Sequence, residues 1–332
     1  MPERPFFVVN PKSAGGRTAS VWWRDLHGSV LEMFPRARWA LTKGPRQAAA
    51  LAARAAVEGA DLVVAVGGDG TVNEVVNGLM GERLGAEERL PAANGQTWSP
   101  PGERPDAPAL GVVPVGTGCD FVKSIGVPNS PVKALELLRA GKQLPLDVCE
   151  MTLRRAAGNL VRRYSMNMCG CGASGEVTKQ VNAARFPRHG LAKFFIATAR
   201  AALAYRPREI QVEVDGLAPR TTRLLGLFVC NGEYCGGGMR PGKGARLDDG
   251  TLRVVEIADI PLSRILRHGY KLYTGRLEGI PGVSVYDASS LRVRGPSEIL
   301  VDCDGEQPGT LPATYSVVRR ALRVVGGNTE EG

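Results

Sequence analysis

The sequence predicts an α/β fold followed by a β fold: a doubly wound domain over residues 1–148, then an antiparallel β-sandwich domain over residues 149–307, with the active site in the cleft between them. Three observations predict this arrangement. The chain has 332 residues, more than a single hydrophobic core usually holds. Short apolar runs alternate with helical stretches up to about residue 148, as in parallel βαβ units. Beyond that point the runs are short and alternate apolar with polar residues, as in antiparallel strands.

The first domain reads as strands separated by helices. The predicted strands are Phe6–Val9, Trp39–Leu41, Leu62–Val66, Ala109–Val115 and Leu146–Val148. The predicted helices lie near residues 18–34, 45–58, 71–80 and 131–140. The third of these has the clearest pattern, because Val72, Val75, Val76 and Leu79 recur at the i, i+3, i+4, i+7 spacing of one helix face.

The second domain and one insertion have a different character. The apolar runs expected to form its antiparallel strands are Ile210–Val214, Leu224–Val229, Leu252–Ile257, Leu291–Val293 and Ile299–Val301. Residues 81–108 are polar and rich in proline, and they are long for a loop inside a domain. We expect a mobile surface insertion there, with a lid over the active site as the alternative.

Composition and charge exclude several classes of protein. Hydrophobic residues make up 43% of the chain, and no apolar stretch approaches the ~20 residues that span a bilayer. The N-terminus lacks the pattern of a secretory signal, and the seven cysteines are scattered, so we expect a cytoplasmic protein with reduced thiols. The net charge of +9 favours an anionic partner. Without a nucleic-acid reader motif, we expect no nucleic-acid partner.

A glycine-rich turn follows the strand Leu62–Val66. Gly67, Gly68 and Gly70 allow a tight turn before the next helix, whose first N–H groups can bind a phosphate. Asp69 lies inside this turn, where its carboxylate would repel phosphate unless a divalent cation lay between them. The turn therefore predicts a nucleoside triphosphate bound with Mg²⁺.

Further acids occur at similar places. Gly116–Phe121 is a second glycine-rich turn, carries Asp120, and follows a strand of the same predicted sheet. Asp147 lies within the apolar run Leu146–Val148, and Asp304 lies in the acidic segment Asp302–Glu306. Acids within apolar strands cost free energy unless they are paired or bound to metal, so this set indicates a functional site.

Two further glycine patterns do not predict nucleotide sites. Gly170–Gly175 matches a dinucleotide fingerprint but lacks a βαβ context and a following acidic residue. Gly237–Gly244 nearly matches a Walker A loop but has Gly244 in place of the Ser or Thr that binds Mg²⁺. We expect both segments to form turns.

Taken together, the motifs resemble those of the diacylglycerol kinase catalytic family, specifically the soluble bacterial lipid kinases similar to YegS and DgkB. Sphingosine and ceramide kinases are relatives, and NAD kinases are more distant. The resemblance covers nearly the whole chain and rests on Asn10–Ser13, Gly67–Thr71 with Asn73 and Glu74, Gly116–Phe121, Leu146 with Asp147, Leu247–Gly250 and Asp304–Glu306. Cys119 stands where the family usually has Asn, but every acid is retained, so we expect activity.

The resemblance implies roles for the residues of these motifs. The residues that would contact the phosphoryl donor ATP are Asn10, Thr42, Gly67, Gly68, Asp69, Gly70, Thr71, Asn73, Glu74, Gly116 and Thr117. Asp69, Asp120 and Asp147 would organise a network of Mg²⁺ and water. Asp304 would be the catalytic base, and Glu306 would support it or contact the nucleotide.

The resemblance also implies a second metal site and a discontinuous domain. A structural or regulatory Mg²⁺ would bind the Asp249 side chain and the backbone carbonyls of Arg246 and Thr251. A C-terminal segment, at about residues 308–326, would return to the ATP-binding domain. The intervening residues 149–307 would form the domain that binds the lipid substrate.

A basic stretch over residues 183–208 predicts peripheral contact with an anionic membrane surface. It contains six basic and no acidic residues, interleaved with aromatic and aliphatic side chains such as Phe186, Leu191 and Phe194. The alternative is an ordinary helix that buries these aromatics in the second domain. Periodicity does not separate the two.

The predicted activity is transfer of the γ-phosphoryl group of ATP to a lipid hydroxyl, with diacylglycerol as the first-choice acceptor. A sphingoid base or ceramide is the alternative acceptor. NAD kinase activity and a catalytically silent regulator that binds lipid or nucleotide are further alternatives. We expect direct in-line transfer, with a phosphoaspartyl intermediate as the rival mechanism. The oligomeric state, including a homodimer, stays open.

Overall fold

The computed structural model of the protein describes residues 2–81, 106–116, 119–154, 159–183, 200 and 205–327. The chain divides into two compact units. The first comprises Met1–Val148 with Val318–Gly332, and the second comprises Cys149–Val317. The return to the first unit therefore begins at Val318, whereas the sequence analysis places it at about residue 308.

The helices and strands have the following bounds. The strands are β1 (Pro5–Val9), β2 (Arg38–Leu41), β3 (Leu62–Gly67), β4 (Ala109–Pro114), β5 (Lys142–Arg154), β6 (Leu160–Ser165), β7 (Met168–Gly172), β8 (Arg208–Val214), β9 (Arg220–Cys230), β10 (Leu252–Ala258), β11 (Val283–Ala288), β12 (Ser290–Arg294), β13 (Leu300–Cys303) and β14 (Glu306–Gly326). The α-helices are α1 (Arg17–Val21), α2 (His27–Met33), α3 (Gln47–Val57), α4 (Asp69–Leu79), α5 (Asp120–Ser124), α6 (Pro131–Ala140), α7 (Ala173–Ala183), α8 (Leu262–His268) and α9 (Lys271–Thr274).

The first unit contains a sheet with the strand order β14–β4–β3–β1–β2, in which each neighbouring pair is parallel. Strand β1 has β2 on one side and β3 on the other, so the direction of strand addition reverses between β1 and β3. In open α/β sheets, ligands bind outside the carboxyl ends of the strands at such a reversal. The strands predicted from the sequence agree with β1–β4 to within one residue at each end.

Helices cover both faces of this sheet. On one face, apolar residues of β1, β3 and β4 pack against side chains of the segments that connect the strands. These side chains include Trp22 and Phe34, between β1 and β2, and Leu135 of α6. The alternate strand residues Val8 and Val63 are also fully buried, and helices α3 and α4 contact β1 and β3. A parallel sheet with buried faces explains why the strands read as continuous apolar runs.

The predictions for the first unit need three corrections, two for helices and one for a strand. The helix expected near residues 18–34 is interrupted, because a π-helical turn over Trp22–Leu26 separates α1 from α2. Helix α5 is short and was not expected. Strand β5 runs from Lys142 to Arg154, well beyond the predicted Leu146–Val148. The prediction was too short because polar residues alternate with buried ones along the strand, so it contains no long apolar run.

In the second unit, six strands pair in a closed ring. Strand β7 pairs with β13, β13 with β14, β14 with β12, β12 with β8, β8 with β9, and β9 with β7. All six pairings are antiparallel, as the sequence predicts, and β10 and β11 extend the sheet from β9. The pairing is thus a barrel-like closure of the expected sandwich. Pairing of β14 with β12 ends at Ser316, close to the boundary between the units.

The turn predicted at Gly170–Gly175 is wrong, because β7 runs directly into helix α7 there. The glycines let the helix lie close to the sheet. A Cβ on Gly170 of β7 would lie 2.7 Å from the Ser174 hydroxyl oxygen of α7, and one on Gly175 of α7 would lie 2.5 Å from the Leu300 carbonyl oxygen of β13. Both neighbours of β7 are antiparallel, so the segment is still not a dinucleotide site. Residues 236–238 and 241–244 form turns, as expected.

No helix in the part of the chain that the structure describes is both long and apolar enough to span a bilayer.

Candidate active site

The two glycine-rich turns lie against each other at the carboxyl ends of β3 and β4. A Cβ on Gly116 would lie 3.0 Å from the Gly68 Cα, so the backbones of the two turns are in contact. A Cβ on Gly67 would lie 2.5 Å from the Thr71 hydroxyl oxygen, which leaves no room for a side chain. Gly68 is extended and immediately precedes helix α4. The turns therefore form one surface of backbone atoms beside a helix N-terminus.

Asp69 joins these two turns. Its carboxylate oxygens accept hydrogen bonds from the backbone N–H groups of Asp120 at 3.0 Å and Phe121 at 3.1 Å. Both N–H groups belong to the first turn of helix α5, where a negative charge is favourable. This capping role was not expected from the sequence, and the part of Asp69 in a Mg²⁺ network stays a prediction.

Asn10 connects the loop after β1 to helix α4, across the strand-order reversal. Its side-chain amide donates a hydrogen bond to the Thr71 hydroxyl at 3.0 Å, and its Oδ1 accepts one from the Lys12 N–H at 3.1 Å. The N–H of Thr42 donates to the Val9 carbonyl at 2.8 Å, so the end of β2 is held to the same edge. These predicted nucleotide contacts thus lie along one edge of the sheet.

Glu74 and Asn73 make internal contacts within the first unit. The two Glu74 carboxylate oxygens accept hydrogen bonds from the N–H groups of Arg46 and Ala48, each at 3.0 Å. These donors flank the start of helix α3, which a carboxylate stabilises. Asn73 is 5% exposed, and its Oδ1 accepts a hydrogen bond from the Asn77 amide. ATP contact by either residue stays a prediction.

The turn after β4 holds a buried acid and a buried thiol. Asp120 forms an ion pair with Lys123 at 2.7 Å. Cys119 is buried in a left-handed conformation with φ of 47°, which Asn adopts more readily than most residues. Burial, with the charges of Asp69 and Asp120, raises the pKa of the Cys119 thiol to about 12, so the thiol stays protonated at neutral pH. Thr117, a predicted ATP contact, lies outside the described residues.

Asp147 is 1% exposed and lies on β5. Its Oδ1 accepts a hydrogen bond from the Arg320 N–H at 2.6 Å. Arg320 has a φ of 46°, so the carboxylate stabilises an irregular point of β14. The predicted part of Asp147 in a Mg²⁺ network stays a prediction.

In the second unit, Asp304 lies in the tight turn between β13 and β14. Asp304 and Gly305 have φ of 46° and 83°, as the two central residues of a type I′ hairpin turn require. The groups that donate hydrogen bonds to its carboxylate are the Ser165 hydroxyl at 2.8 Å and the N–H groups of Met166 at 3.0 Å, Asn167 at 3.1 Å and Met168 at 2.9 Å. The predicted base is therefore held in one orientation.

Asp302, two residues earlier, is a buried acid that the sequence analysis did not assign. It is 1% exposed, and its Oδ2 accepts no hydrogen bond from the described residues. Burial raises the pKa of its carboxyl to about 7; the nearby Ser174 hydroxyl opposes this shift, and the negative charge of Asp304 adds to it. The signal in the sequence was an acid inside the short apolar run Leu300–Cys303, where burial of a carboxylate costs free energy.

The predicted second Mg²⁺ site is an exposed turn. Asp249 Oδ1 accepts hydrogen bonds from the N–H and the hydroxyl of Thr251, each at 2.9 Å, and Arg246 pairs with Asp248 at 3.3 Å. Within the described ranges, no group of three or more His, Cys, Asp or Glu side chains is arranged to hold a metal ion. Both Mg²⁺ sites therefore stay predictions.

Two other predictions fall mostly outside the described residues. The basic stretch over residues 183–208 is described only at Ala183, Arg200 and residues 205–208. The insertion over residues 81–108 is described only at Gly81 and residues 106–108.

Two family models match the chain. The model described as diacylglycerol kinase catalytic domain matches residues 4–151. The model described as YegS C-terminal NAD kinase beta sandwich-like domain matches residues 167–326. The first matched range contains the glycine-rich turns, and the second contains Asp304.

Similar proteins bear the name diacylglycerol kinase. That of Bacillus subtilis (strain 168) is 27% identical over 328 residues, which cover 97% of this chain and 96% of that protein. That of Staphylococcus aureus (strain Newman) is 26% identical over 280 residues, which cover 83% of this chain and 78% of that protein.

The fold has counterparts among solved structures. A crystal structure of a diacylglycerol kinase from Bacillus anthracis (strain Sterne) has a TM-score of 0.66 at 21% identity, covering 98% of this chain and 97% of that chain. Yeast NADH kinase has a TM-score of 0.50 at 13% identity, covering 99% of this chain and 85% of that chain. The solved structures show the fold, and the two matched domains with the curated relatives show that the chain belongs to the diacylglycerol kinase catalytic-domain family of lipid kinases.

Proposed function

We propose that the protein transfers the γ-phosphoryl group of ATP to the hydroxyl of diacylglycerol. The observation that carries this proposal is the pair of glycine-rich turns joined by Asp69 at the carboxyl ends of β3 and β4. The names of the relatives from Bacillus subtilis and Staphylococcus aureus support diacylglycerol as the acceptor.

The first unit would bind the ATP phosphates. Glycine backbones at Gly67, Gly68 and Gly116 allow phosphate oxygens to approach without a side chain between, and the start of helix α4 favours their negative charge. Asn10 and Thr71 would border this surface, because their hydrogen bond ties the β1 loop to the same helix. The carboxylates of Asp69 and Glu74 would act by holding these backbone segments in place.

Asp304 would accept the proton of the lipid hydroxyl as the hydroxyl oxygen attacks the γ-phosphorus and ADP leaves. Hydrogen bonds from Ser165, Met166, Asn167 and Met168 hold this carboxylate in place. A strong base is not required, since phosphoryl transfer passes through a loose transition state in which little bond to the attacking oxygen has formed. Positioning then contributes more than basicity.

The residues at the Asp249 turn fit a Mg²⁺ ion in their chemistry, because a carboxylate and backbone carbonyls are hard oxygen ligands. We propose that Asp249, with the carbonyls of Arg246 and Thr251, holds a structural ion in the loop before β10. For transfer itself, Mg²⁺ bound to the ATP phosphates would supply charge neutralisation. The part played by Asp69, Asp120 and Asp147 would be to order the surrounding turns.

We further propose a cytoplasmic protein that associates with membranes from that side. All seven cysteines are free thiols and buried, which is consistent with a reducing compartment. The net charge of +9 supports attraction to an anionic lipid surface, where the substrate resides.

The experiment that tests the proposal is transfer of radiolabelled phosphate from ATP with Mg²⁺ to detergent-dispersed lipids. The panel comprises diacylglycerol, monoacylglycerol, sphingosine, ceramide and, as a soluble acceptor, NAD. We expect label in diacylglycerol, and a loss of about 10²–10⁴-fold in kcat for Asp304→Asn with unchanged ATP binding.

Asp215→Asn is the matched control for this variant. Asp215 also has a left-handed φ, of 48°, and its carboxylate also accepts hydrogen bonds from backbone and hydroxyl donors, at Ser289 and Ser290. Equal losses in the two variants would indicate a structural role for Asp304. Label in NAD alone would contradict the proposed acceptor.

A further inference from the structure

Helices α8 and α9, with the residues around them, form a hairpin that exposes apolar side chains. We call residues 262–276 the docking hairpin. Leu262 is 46% exposed, Leu266 is 71% exposed and Tyr270 is 63% exposed. Leu262 and Leu266 are four residues apart on α8, so they lie on the same helix face. This hairpin therefore presents a stripe of large apolar side chains to solvent, which marks an interaction surface.

The docking hairpin is also uniformly basic. From Ile260 to Leu277 the chain carries Arg264, Arg267, Lys271 and Arg276 and no acidic residue. Within the described part of the chain, none of these four forms an ion pair with a carboxylate. The pKa of His268 is lowered, first by desolvation and then by the positive charges of Lys271, Arg267 and Arg264.

The docking hairpin packs on the part of the second unit that holds Asp304. The Arg240 N–H donates a hydrogen bond to the Leu272 carbonyl at 2.6 Å. Tyr273 packs against an apolar cluster that includes Met168 and Met239. The N–H of Met168 donates in turn to the Asp304 carboxylate at 2.9 Å. A ligand of the hairpin would therefore bind the same compact unit as the proposed base.

We propose that the docking hairpin binds the surface of an anionic phospholipid bilayer. Leu262, Leu266 and Tyr270 enter the membrane–water interface. This interface suits tyrosine in particular, because its ring is apolar and its hydroxyl is polar. The four basic side chains contact anionic headgroups, whose charge complements side chains that form no ion pair within the described part of the chain. The inference rests on the proposed function only in that a lipid acceptor lies in a membrane.

Vesicle co-sedimentation without ATP tests this surface directly. The protein is mixed with vesicles of phosphatidylcholine alone or of phosphatidylcholine with phosphatidylglycerol. We expect binding to the anionic vesicles only, weakened by added salt. We expect Leu266→Gln to lower the partition coefficient by about tenfold or more and Arg267→Gln to lower it roughly fivefold.

Matched controls separate a local effect from a general one. Leu217→Gln replaces a leucine that is 69% exposed elsewhere in the same unit, and Arg36→Gln removes an exposed charge from the first unit. Both controls should bind anionic vesicles as the unchanged protein does. Absence of binding by the unchanged protein, or hairpin variants that bind as it does, would overturn the proposal.

Two further measurements identify what else could cover this surface and keep the two proposals apart. Light scattering would detect a dimer; a shift to monomer in Leu266→Gln, with vesicle binding unchanged, would make the hairpin a contact between copies and overturn the membrane proposal.

With detergent-dispersed diacylglycerol, the hairpin variants should retain activity. If the protein phosphorylates no lipid while the hairpin variants still lose vesicle binding, the proposed lipid kinase activity is wrong and the proposed membrane-binding surface is supported.

Discussion

At the scale of single residues, two neighbouring acids have opposite environments. Asp304 is surrounded by four hydrogen-bond donors, whereas the Asp302 Oδ2 has none among the described residues. Asp302 and Gly170 are paired across β13 and β7, and Ser174 of α7 lies near them. Burial disfavours the charged form of a carboxyl with an oxygen that has no donor, so Asp302 is more stable as the neutral acid. The neutral form of Asp302 also avoids repulsion with Asp304.

We predict that Asp302→Asn removes a pH dependence of stability. Burial in the folded state raises the pKa of Asp302 to about 7, from its ordinary value of 3.8. The folded protein therefore keeps a proton that the unfolded chain releases, and stability falls as pH rises from about 4 to about 7. Above that range the loss amounts to a few kcal/mol. Asparagine has no charge to bury, so the variant should gain stability at pH 8.

Urea unfolding at pH 5 and pH 8 measures this effect. The free energy of unfolding of the unchanged protein should fall between the two pH values more than that of Asp302→Asn does. Equal changes in the two proteins would show that Asp302 is not protonated in the folded state.

At the scale of elements, the motif helix α4 supports its neighbour α3. Glu74 extends from α4 to the start of α3, where it accepts hydrogen bonds from Arg46 and Ala48. Arg46 is left-handed, with a φ of 63°, so the chain enters α3 through a strained residue. The motif residue thus fixes the position of one helix against another.

We predict that Glu74→Ala destabilises the protein in the absence of nucleotide. The variant leaves two N–H groups at the start of α3 without their acceptor, which costs about 1–3 kcal/mol. Urea unfolding monitored by circular dichroism measures the loss. Glu136→Ala, which removes an exposed acid from α6, is the control. If ATP affinity fell while the stability of the nucleotide-free protein was unchanged, Glu74 would be a nucleotide contact instead.

At the scale of the whole molecule, the first unit is built from two separate stretches of chain. In the C-terminal stretch, Val324 pairs with Leu110 of β4. The Arg320 N–H of the same stretch donates a hydrogen bond to the Asp147 carboxylate. Residues of this stretch that are at most 2% exposed are Ala321, Leu322, Val324 and Val325. The sheet that carries the glycine-rich turns is therefore incomplete without residues 318–326.

We predict that deletion of residues 318–332 prevents the first unit from folding. Burial of Leu322, Val324 and Val325 contributes roughly 1.5–3 kcal/mol each, comparable in sum to the ~5–15 kcal/mol that stabilises a typical domain. ATP should raise the thermal unfolding temperature of the full chain and not of the truncated one. Deletion of residues 328–332 alone is the control. A normal ATP response after the longer deletion would contradict the prediction.

Much of the fold was predictable because the relevant signals are local. Continuous apolar runs indicated β1, β3 and β4, and the periodicity of valines indicated α4, to within two residues of their bounds. The glycines of both turns and the Asp-Gly dipeptide at Asp304 are also local signals, since they reflect what one turn of backbone requires. The basic, acid-free segment around α8 is equally visible in the sequence.

The partners of the acids depended on the tertiary structure. The sequence by itself determined the alternation of elements, the glycine-rich turns and the kinase motifs, because backbone preference and apolar period act over a few residues. Only the tertiary structure decided that the Asp304 carboxylate accepts hydrogen bonds from donors 136 to 139 residues away and that Glu74 caps α3. It also decided that the Asp302 Oδ2 has no hydrogen-bond donor among the described residues. Hydrogen bonds and burial arise from long-range strand pairing, such as β7 with β13, which no local pattern encodes.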